Sequence, residues 1–261
     1  MSSRRSLSIA VHLILALHLG FAGQVEKIVW NVVKLGGKDR ANVNVLVALD
    51  TLREGKMVGL PTDTVYGFVA DATRPRPVQK LYNISGSQYY HQPITIALDE
   101  LQQVSMYADT DHLDRSMLSQ LLPGRVTVVL RRRPGALPHI NPSTDLIPIR
   151  VPGKKEKIFI RKLTHQLERP LALVGARKVG RPHSIVVDDF EDIRLRAYVV
   201  YDGGKLETKK MEGTTVVDLT TSGRYKILWP GCVLSAVLSI MGRYGLEEWT
   251  DGPNITVFNP T

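Results

Sequence analysis

The sequence predicts a single α/β domain in which helices flank a twisted mixed β-sheet. Short β-branched or apolar runs bounded by Gly and Pro alternate with segments of helical periodicity, and the alternation does not follow a strict β-α-β rhythm. The chain has 261 residues, of which 43% are hydrophobic, a composition that suits one globular domain with a short leader.

Helical periodicity and apolar runs predict the order of the elements. The first helix is expected over residues 41–54, where Val45, Leu46, Leu49 and Leu52 recur at helical spacing. Further helices are predicted at 76–84, 111–121, 156–168 and 233–245. Strands are predicted at 57–60, 94–98, 126–131, 147–151, 171–174, 198–201, 214–219 and 225–229.

The first 25 residues are expected to form a leader outside the domain. They contain no acidic side chain, begin with a basic segment and continue with an apolar stretch that is too short and too interrupted for a membrane span. Two interpretations stay open, a secretory signal and a mitochondrial transit peptide. The folded domain is expected over residues 41–245, with a C-terminal tail at 246–261.

The charge and cysteine content narrow the classes of function. Lys and Arg number 34 against 25 Asp and Glu, and the net charge of +9 attracts polyanions such as nucleotides or RNA. The basic runs 131–133 and 154–155 are either an RNA-binding surface or solvated strand ends and loops. Cys232 is the only cysteine, and the histidines have no ligand spacing, so we predict no disulfide framework and no structural metal.

Polar segments that follow predicted strands are the most informative feature. The chain has no P-loop, no GxGxxG and no GxSxG motif. Hydroxyls and an arginine at strand ends around one cavity could hold a small zwitterion, although each segment alone could also be an ordinary turn. The segments are PTDTVYG (61–67), LLPGRVTVVL (121–130), IRVP (149–152), YDGG (201–204), GTTVVDL (213–219) and WPGC (229–232).

In this order the segments resemble those of the YrdC-like threonylcarbamoyl-adenylate synthases, most closely the animal members, over roughly residues 41–245. The resemblance implies that the twisted sheet surrounds a deep cavity. It also implies a nucleotidyltransferase that joins L-threonine, bicarbonate and ATP and releases pyrophosphate. ATP with Mg²⁺ would be a substrate, and no tightly bound cofactor is implied. The product would pass to a tRNA-modifying transferase complex that acts on the adenosine beside the anticodon, which favours a mitochondrial or cytoplasmic location and leaves the secretory interpretation open.

The resemblance also implies which residues bind threonine. Thr64, Arg150 and Thr214 match the family's PTxT, RxP and STVVD segments, so that Arg150 would pair with the carboxylate of threonine and both hydroxyls would hydrogen-bond the amino acid. The alternative for Arg150 is a surface ion pair. No catalytic side chain and no metal ligand is assigned.

The chain departs from the family on the nucleotide side. Ser85 and Ser87 stand where the family has the Lys and Arg of Lys-Gly-Arg. Gln92 is the remaining nucleotide-binding candidate, and it only weakly resembles the family's polar residue before Pro-Leu.

Two further family segments differ. Gly175 and Arg177 flank Ala176 where the family has Ser-Ala-Asn, and Trp229 replaces the arginine of RPG. Arg177 and Lys178 could supply replacement charge. Two functions therefore stay open: an active synthase, or a catalytically impaired relative that acts as a threonine-binding, RNA-binding or regulatory protein.

Overall fold

The computed structural model describes residues 31–36, 38–84, 93–153, 159–177, 183–207 and 213–249, all within one compact unit that begins at Asn31. The predicted leader at 1–25 and most of the predicted tail lie outside the described residues, and so do Ser85, Ser87 and Gln92. Within the described ranges, no helix is long and apolar enough to cross a membrane.

Strands and helices interleave along the described chain. The strands are β1 (Val32–Lys34), β2 (Val58–Pro61), β3 (Tyr66–Asp71), β4 (Thr95–Ala97), β5 (Val126–Arg131), β6 (Leu146–Arg150), β7 (Leu171–Gly175), β8 (Val199–Asp202), β9 (Thr215–Asp218), β10 (Arg224–Trp229) and β11 (Glu247–Glu248). The helices are α1 (Lys38–Arg53), α2 (Pro75–Ile84), α3 (Val104–Tyr107), α4 (Arg115–Leu121), α5 (Phe159–Leu167), α6 (Glu191–Arg194) and α7 (Leu234–Arg243), with 3-10 turns at Leu101–Gln103 and Val187–Phe190.

The strands form one 11-stranded sheet in the order β1-β8-β2-β3-β7-β4-β6-β5-β9-β10-β11. The sheet contains parallel pairs, such as β4 with β6 and β5 with β9, and antiparallel pairs, such as β2 with β3 and β5 with β6. The mixed sheet that the sequence predicts is therefore confirmed, because neither a purely parallel nor a purely antiparallel order occurs among these strands.

Apolar side chains fill two cores, one against each face of the sheet. On one face, α1 and α5 pack over β2 and β8, and α1 contributes a stripe of Val45, Ala48, Leu49 and Leu52. Leu46, which was among the residues that predicted the helix, lies outside this stripe and is 58% exposed. Each fully buried aliphatic side chain contributes about 1.5–3 kcal/mol.

The structure shifts two predicted helix starts and adds three strands, β1, β3 and β11, and two short helices, α3 and α6. Helix α4 begins at Arg115 rather than at 111, because the carboxylate of Asp114 caps it by accepting from the amides of Ser116 (2.7 Å) and Met117 (3.1 Å). Helix α1 begins three residues earlier than predicted. Strand β3 was not predicted at all, although its residues are buried throughout.

The arginine run 131–133 is bonded within the chain. The Arg132 guanidinium donates to the carbonyls of Leu137 and Asn141, each at 2.9 Å, and its two neighbours form ion pairs with aspartates that are more than half exposed. The run therefore holds the loop between β5 and β6, and its binding to RNA stays a prediction. The second basic run, 154–155, lies outside the described residues.

Candidate functional site

Side chains from distant parts of the chain meet around one cavity in the sheet. The cavity is lined by Thr64 from the β2–β3 turn, by Arg150 at the end of β6 and by Thr214 just before β9. The structure thus brings the three predicted threonine-binding residues together. Their ligand is not identified by this proximity, so their role stays a prediction.

The β2–β3 turn is organised by the hydroxyl of Thr62. This hydroxyl donates to the carbonyl of Val65 at 2.7 Å, and its oxygen accepts from the amides of Thr64 and Val65 at 3.2 Å each. Such a side-chain turn fixes the backbone without requiring glycine. The hydroxyls of Thr62 and Thr64 lie 3.2 Å apart. Either hydroxyl can be the donor in this contact, and in both cases the oxygen of Thr64 keeps acceptor capacity.

Arg150 forms a buried ion pair with Asp63, the third residue of the same turn segment. The side chains are 5% and 3% exposed. Arg150 therefore does form an ion pair, but the pair is buried and does not lie at the surface. The second oxygen of Asp63 accepts from the amide of Gly153 at 3.3 Å. The Nε atom of Arg150 is buried without a hydrogen-bond partner among the described residues. Asp63 therefore orients the guanidinium, and the Nε–H group remains a buried donor without a partner among the described residues.

Thr214 lies opposite, where β5 and β9 run parallel. Its hydroxyl is 2.9 Å from that of Thr127, which also lines the cavity. The WPGC segment also approaches the backbone of Thr214 closely. Only a glycine fits there, since a Cβ atom at Gly231 would lie 2.2 Å from the carbonyl oxygen of Thr214. The WPGC segment therefore packs directly on the backbone that presents Thr214.

At another part of the cavity, His183 lies between two glycines. A Cβ atom at Gly213, whose φ is +67°, would lie 3.1 Å from the Nε2 atom of His183, and a Cβ atom at Gly175 would lie 3.6 Å from its Nδ1. The imidazole also meets the ring of Trp229 edge-on, with centroids 6.3 Å apart. Burial first, and the charge of Arg177 second, lower the pKa of His183 to about 4.

Tyr66 connects the cavity to the YDGG segment. Its hydroxyl donates to the carbonyl of Gly204 at 2.8 Å and accepts from the amide of Gly203 at 2.9 Å, and it lies 3.3 Å from a carboxylate oxygen of Asp202. Burial, the main cause, raises the pKa of Tyr66 above its usual value. The hydroxyl is therefore neutral at neutral pH, and its hydrogen bonds attach the YDGG segment to β3.

The sequence predictions for the nucleotide side divide into two groups. Gly175, Arg177 and Trp229 all line the cavity, whereas Gln92 and Lys178 lie outside the described residues. The sequence did not point to Thr62, Asp63, Thr127 or His183. No group of three His, Cys, Asp or Glu side chains that could hold a metal ion occurs in the described ranges.

A mixed sheet around a cavity lined by hydroxyls and two arginines defines an α/β protein whose cavity is suited to a small polar ligand. Within that class, the chain belongs to the Sua5/YciO/YrdC family, whose sequence model, described as "Telomere recombination", matches residues 50–231. This range includes all of the cavity residues named above.

The most similar relatives include the Bos taurus and Homo sapiens proteins named threonylcarbamoyl-AMP synthase. Both are 32% identical to this chain, over 76% of it and over 72% and 71% of their own lengths. Among solved structures, P. abyssi Sua5 complexed with L-threonine superposes with a TM-score of 0.69 at 25% identity, over 84% of this chain and 62% of that one. E. coli YciO shares the fold, with a TM-score of 0.63 over 77% of this chain and 94% of that one, at 19% identity. This chain thus spans less than two thirds of the P. abyssi protein.

Proposed function

We propose that this chain is a threonylcarbamoyl-AMP synthase, which converts L-threonine, bicarbonate and ATP to threonylcarbamoyl-AMP, pyrophosphate and water. One observation carries the proposal: Thr64, Arg150 and Thr214 line a single cavity, and Arg150 keeps a buried Nε donor without a partner among the described residues. The names of the animal relatives and the threonine complex of the P. abyssi protein support it.

The amino acid would bind through complementary groups. An unpaired buried donor costs about 1–3 kcal/mol, so a carboxylate oxygen at the Nε of Arg150 would recover that energy. The acceptor capacity of Thr64 suits the amino group, and the hydroxyl of Thr214 suits either end of the ligand. Asp63 would keep the guanidinium in place throughout.

The chemistry requires alignment and the exclusion of water more than a reactive side chain. The amine of threonine forms a bond with the carbon of bicarbonate, water leaves, and a carbamate results. A carbamate oxygen then attacks the α-phosphorus of ATP while the bond to pyrophosphate breaks. Mg²⁺ bound to ATP, a substrate rather than a resident ion, would screen the negative charges. The residues of this chain would hold the reactants in line and shield the labile carbamate.

The proposal extends to the fate of the product. Threonylcarbamoyl-AMP is an activated anhydride, so a transferase that modifies the tRNA adenosine beside the anticodon would consume it. The proposed setting is a mitochondrial or cytoplasmic one, and the basic surface would give at most weak contact with RNA.

A second candidate is a threonine-binding relative with impaired catalysis. It is favoured by Gly175 and Trp229, which line the cavity where the family has a serine and an arginine. A charged hydrogen bond is worth about 1.5–3 kcal/mol, and each 1.36 kcal/mol of barrier is roughly tenfold in rate. Loss of several such contacts would reduce turnover by orders of magnitude unless other residues replace them.

Pyrophosphate release and mass detection of threonylcarbamoyl-AMP distinguish the two candidates. The unchanged protein, given threonine, bicarbonate and MgATP, is expected to form both products. Threonine binding without product at high protein concentration would favour the impaired relative. In that case Ser85→Lys with Ser87→Arg, which restores the family's Lys-Gly-Arg, should increase the rate, and Thr220→Val serves as an unrelated control substitution.

A further inference from the structure

Arg177 and His183 both line the cavity, and the residue next to each is hydrogen-bonded to the backbone of Tyr66. The amide of Tyr66 donates to the carbonyl of Ser184 at 2.8 Å, and its carbonyl accepts from the amide of Ala176 at 2.9 Å. The Ser184 hydroxyl in turn donates to the carbonyl of Ala176. Since Arg177 follows Ala176 and His183 precedes Ser184, both side chains are carried by firmly bonded backbone.

The imidazole of His183 is packed but incompletely bonded. Gly213 and the ring of Trp229 restrict its position. Its Nδ1 atom is buried and has no hydrogen-bond partner among the described residues. A buried polar atom in this condition is stabilised by any ligand group that reaches it.

The charge of the cavity favours an anion at this position. Its described lining contains two cations, Arg150 and Arg177, and no acidic side chain. Arg150 is balanced by Asp63. The charge that acts on His183 is that of Arg177, and neither Gly213 nor Trp229, which also pack against the imidazole, brings another. A phosphate group beside both residues would attract the guanidinium charge and favour a proton on the imidazole.

We propose that Arg177 and His183 together bind a phosphate group of the nucleotide, and that His183 takes up a proton from solvent as the nucleotide binds. The inference rests on the proposed function, because the nucleotide is its co-substrate. Arg177 stands where the family has the asparagine of Ser-Ala-Asn, and His183 lies outside the family segments quoted above. The pair would thus supply positive charge in this chain, in which Ser85 and Ser87 stand where the family has Lys and Arg.

Isothermal titration of the full chain with MgATP, without threonine or bicarbonate, tests the pairing. The measurement is made at pH 6.0 in two buffers that differ in ionisation enthalpy, which reports the protons taken up. We expect uptake of roughly half a proton or more per nucleotide, because an anion would raise the pKa of His183 from about 4 toward its ordinary value of 6.5.

Three substitutions make the result specific. His183→Gln keeps hydrogen-bonding groups but accepts no proton, so it should abolish the uptake and weaken nucleotide binding roughly tenfold or more. Arg177→Ala should weaken binding to a similar extent. His165→Gln, which alters an exposed histidine paired with Asp99, should change neither quantity. A threonine titration on each variant checks that the cavity is intact.

The outcomes separate this inference from the proposed function. If MgATP binds the unchanged protein and His183→Gln with equal affinity and equal proton uptake, the Arg177–His183 pairing is wrong while the synthase proposal stands. If the unchanged protein binds threonine but no MgATP, the nucleotide co-substrate and this inference both fail. If the unchanged protein binds MgATP but no threonine, the proposed function fails, while proton uptake that disappears in His183→Gln would still support the Arg177–His183 pairing.

Discussion

Arg150 and Asp63 form an ion pair in which 5% and 3% of the two side chains are exposed. One residue ends β6 and the other belongs to the β2–β3 turn, so the pair joins two separate parts of the cavity wall. Charges buried this deeply persist only when their partners stay in place. The pair therefore both shapes the cavity and links its integrity to the stability of the sheet.

Removal of Asp63 should destabilise the protein strongly. In Asp63→Ala the guanidinium of Arg150 stays buried without its counter-charge, and the amide of Gly153 also loses its acceptor. We expect the free energy of unfolding, measured by urea denaturation, to fall by about 3–5 kcal/mol. Asp145→Ala is the matched control, because it breaks the Arg131–Asp145 pair, whose side chains are 55% and 67% exposed. That control should cost less than about 1 kcal/mol, and equal losses in the two variants would contradict the argument.

Replacement of Thr214 should affect ligand binding more than stability. Thr214→Val removes a hydroxyl that faces the cavity and meets that of Thr127 at 2.9 Å, while the shape of the side chain is kept. A neutral hydrogen bond is worth about 0.5–1.5 kcal/mol, so the affinity for L-threonine should fall about two- to tenfold. Calorimetric titration provides the measurement, and Thr214→Ser should retain most of the affinity. Unchanged binding in Thr214→Val would remove this residue from the proposed threonine site.

Tyr66→Phe should loosen the segment that follows β8. The hydroxyl it removes accepts from the amide of Gly203 and donates to the carbonyl of Gly204. We expect a loss of about 1–3 kcal/mol in the free energy of unfolding, together with faster hydrogen exchange of the Gly203 amide. Tyr244→Phe, which loses an exposed hydroxyl bonded to Gln120, is the control. Protection of Gly203 equal to that of the unchanged protein would show that the hydroxyl does not restrain the segment.

The stability of the protein should decrease on acidification because of His183. Its pKa is about 4 in the folded cavity and 6.5 in the unfolded chain, so between these values the unfolded state binds the additional proton. The free energy of unfolding therefore falls as the pH drops below 6.5, by on the order of 3 kcal/mol at pH 4. In His183→Gln this part of the slope should disappear.

His165 provides the opposite sign for comparison. Its hydrogen bond to Asp99, the first cause, raises its pKa, so its contribution to stability is present below pH 6.5 and is lost as the pH rises through the raised value. Urea denaturation between pH 4.5 and 7.5 on both histidine variants provides the measurement. A slope in His183→Gln identical to that of the unchanged protein would mean that this imidazole titrates normally.

Periodicity was sufficient for most of the sheet because its strands are apolar runs with clear boundaries. Strand β5 was predicted with the bounds that the structure has, and β6 and β7 within one residue at either end. Strand β3 was not predicted because its first residues, Tyr66 and Gly67, belong to a segment that looks like a polar turn. Its burial depends on β7, which is more than a hundred residues away in the chain.

Cavity residues could be predicted from the sequence only where they belong to a recognisable segment. Thr64, Arg150 and Thr214 were found through the segments that carry them. Asp63 lies within the PTDTVYG segment, but its pairing with Arg150 depends on a tertiary contact that no local pattern encodes. His183 was missed for a similar reason, because a single histidine in a sequence says nothing about the glycines and the tryptophan that surround it.

The contributors to the cavity wall are spread from Thr62 to Trp229. During synthesis, the cavity can therefore be completed only after β10 has been made, long after the turn that carries Thr62 and Thr64. Contacts of such long sequence separation form late in folding because of the entropy of closing the intervening loops. A small molecule that recognises the finished recess can consequently protect the complete chain against unfolding, but it cannot assist any fragment that ends before β10.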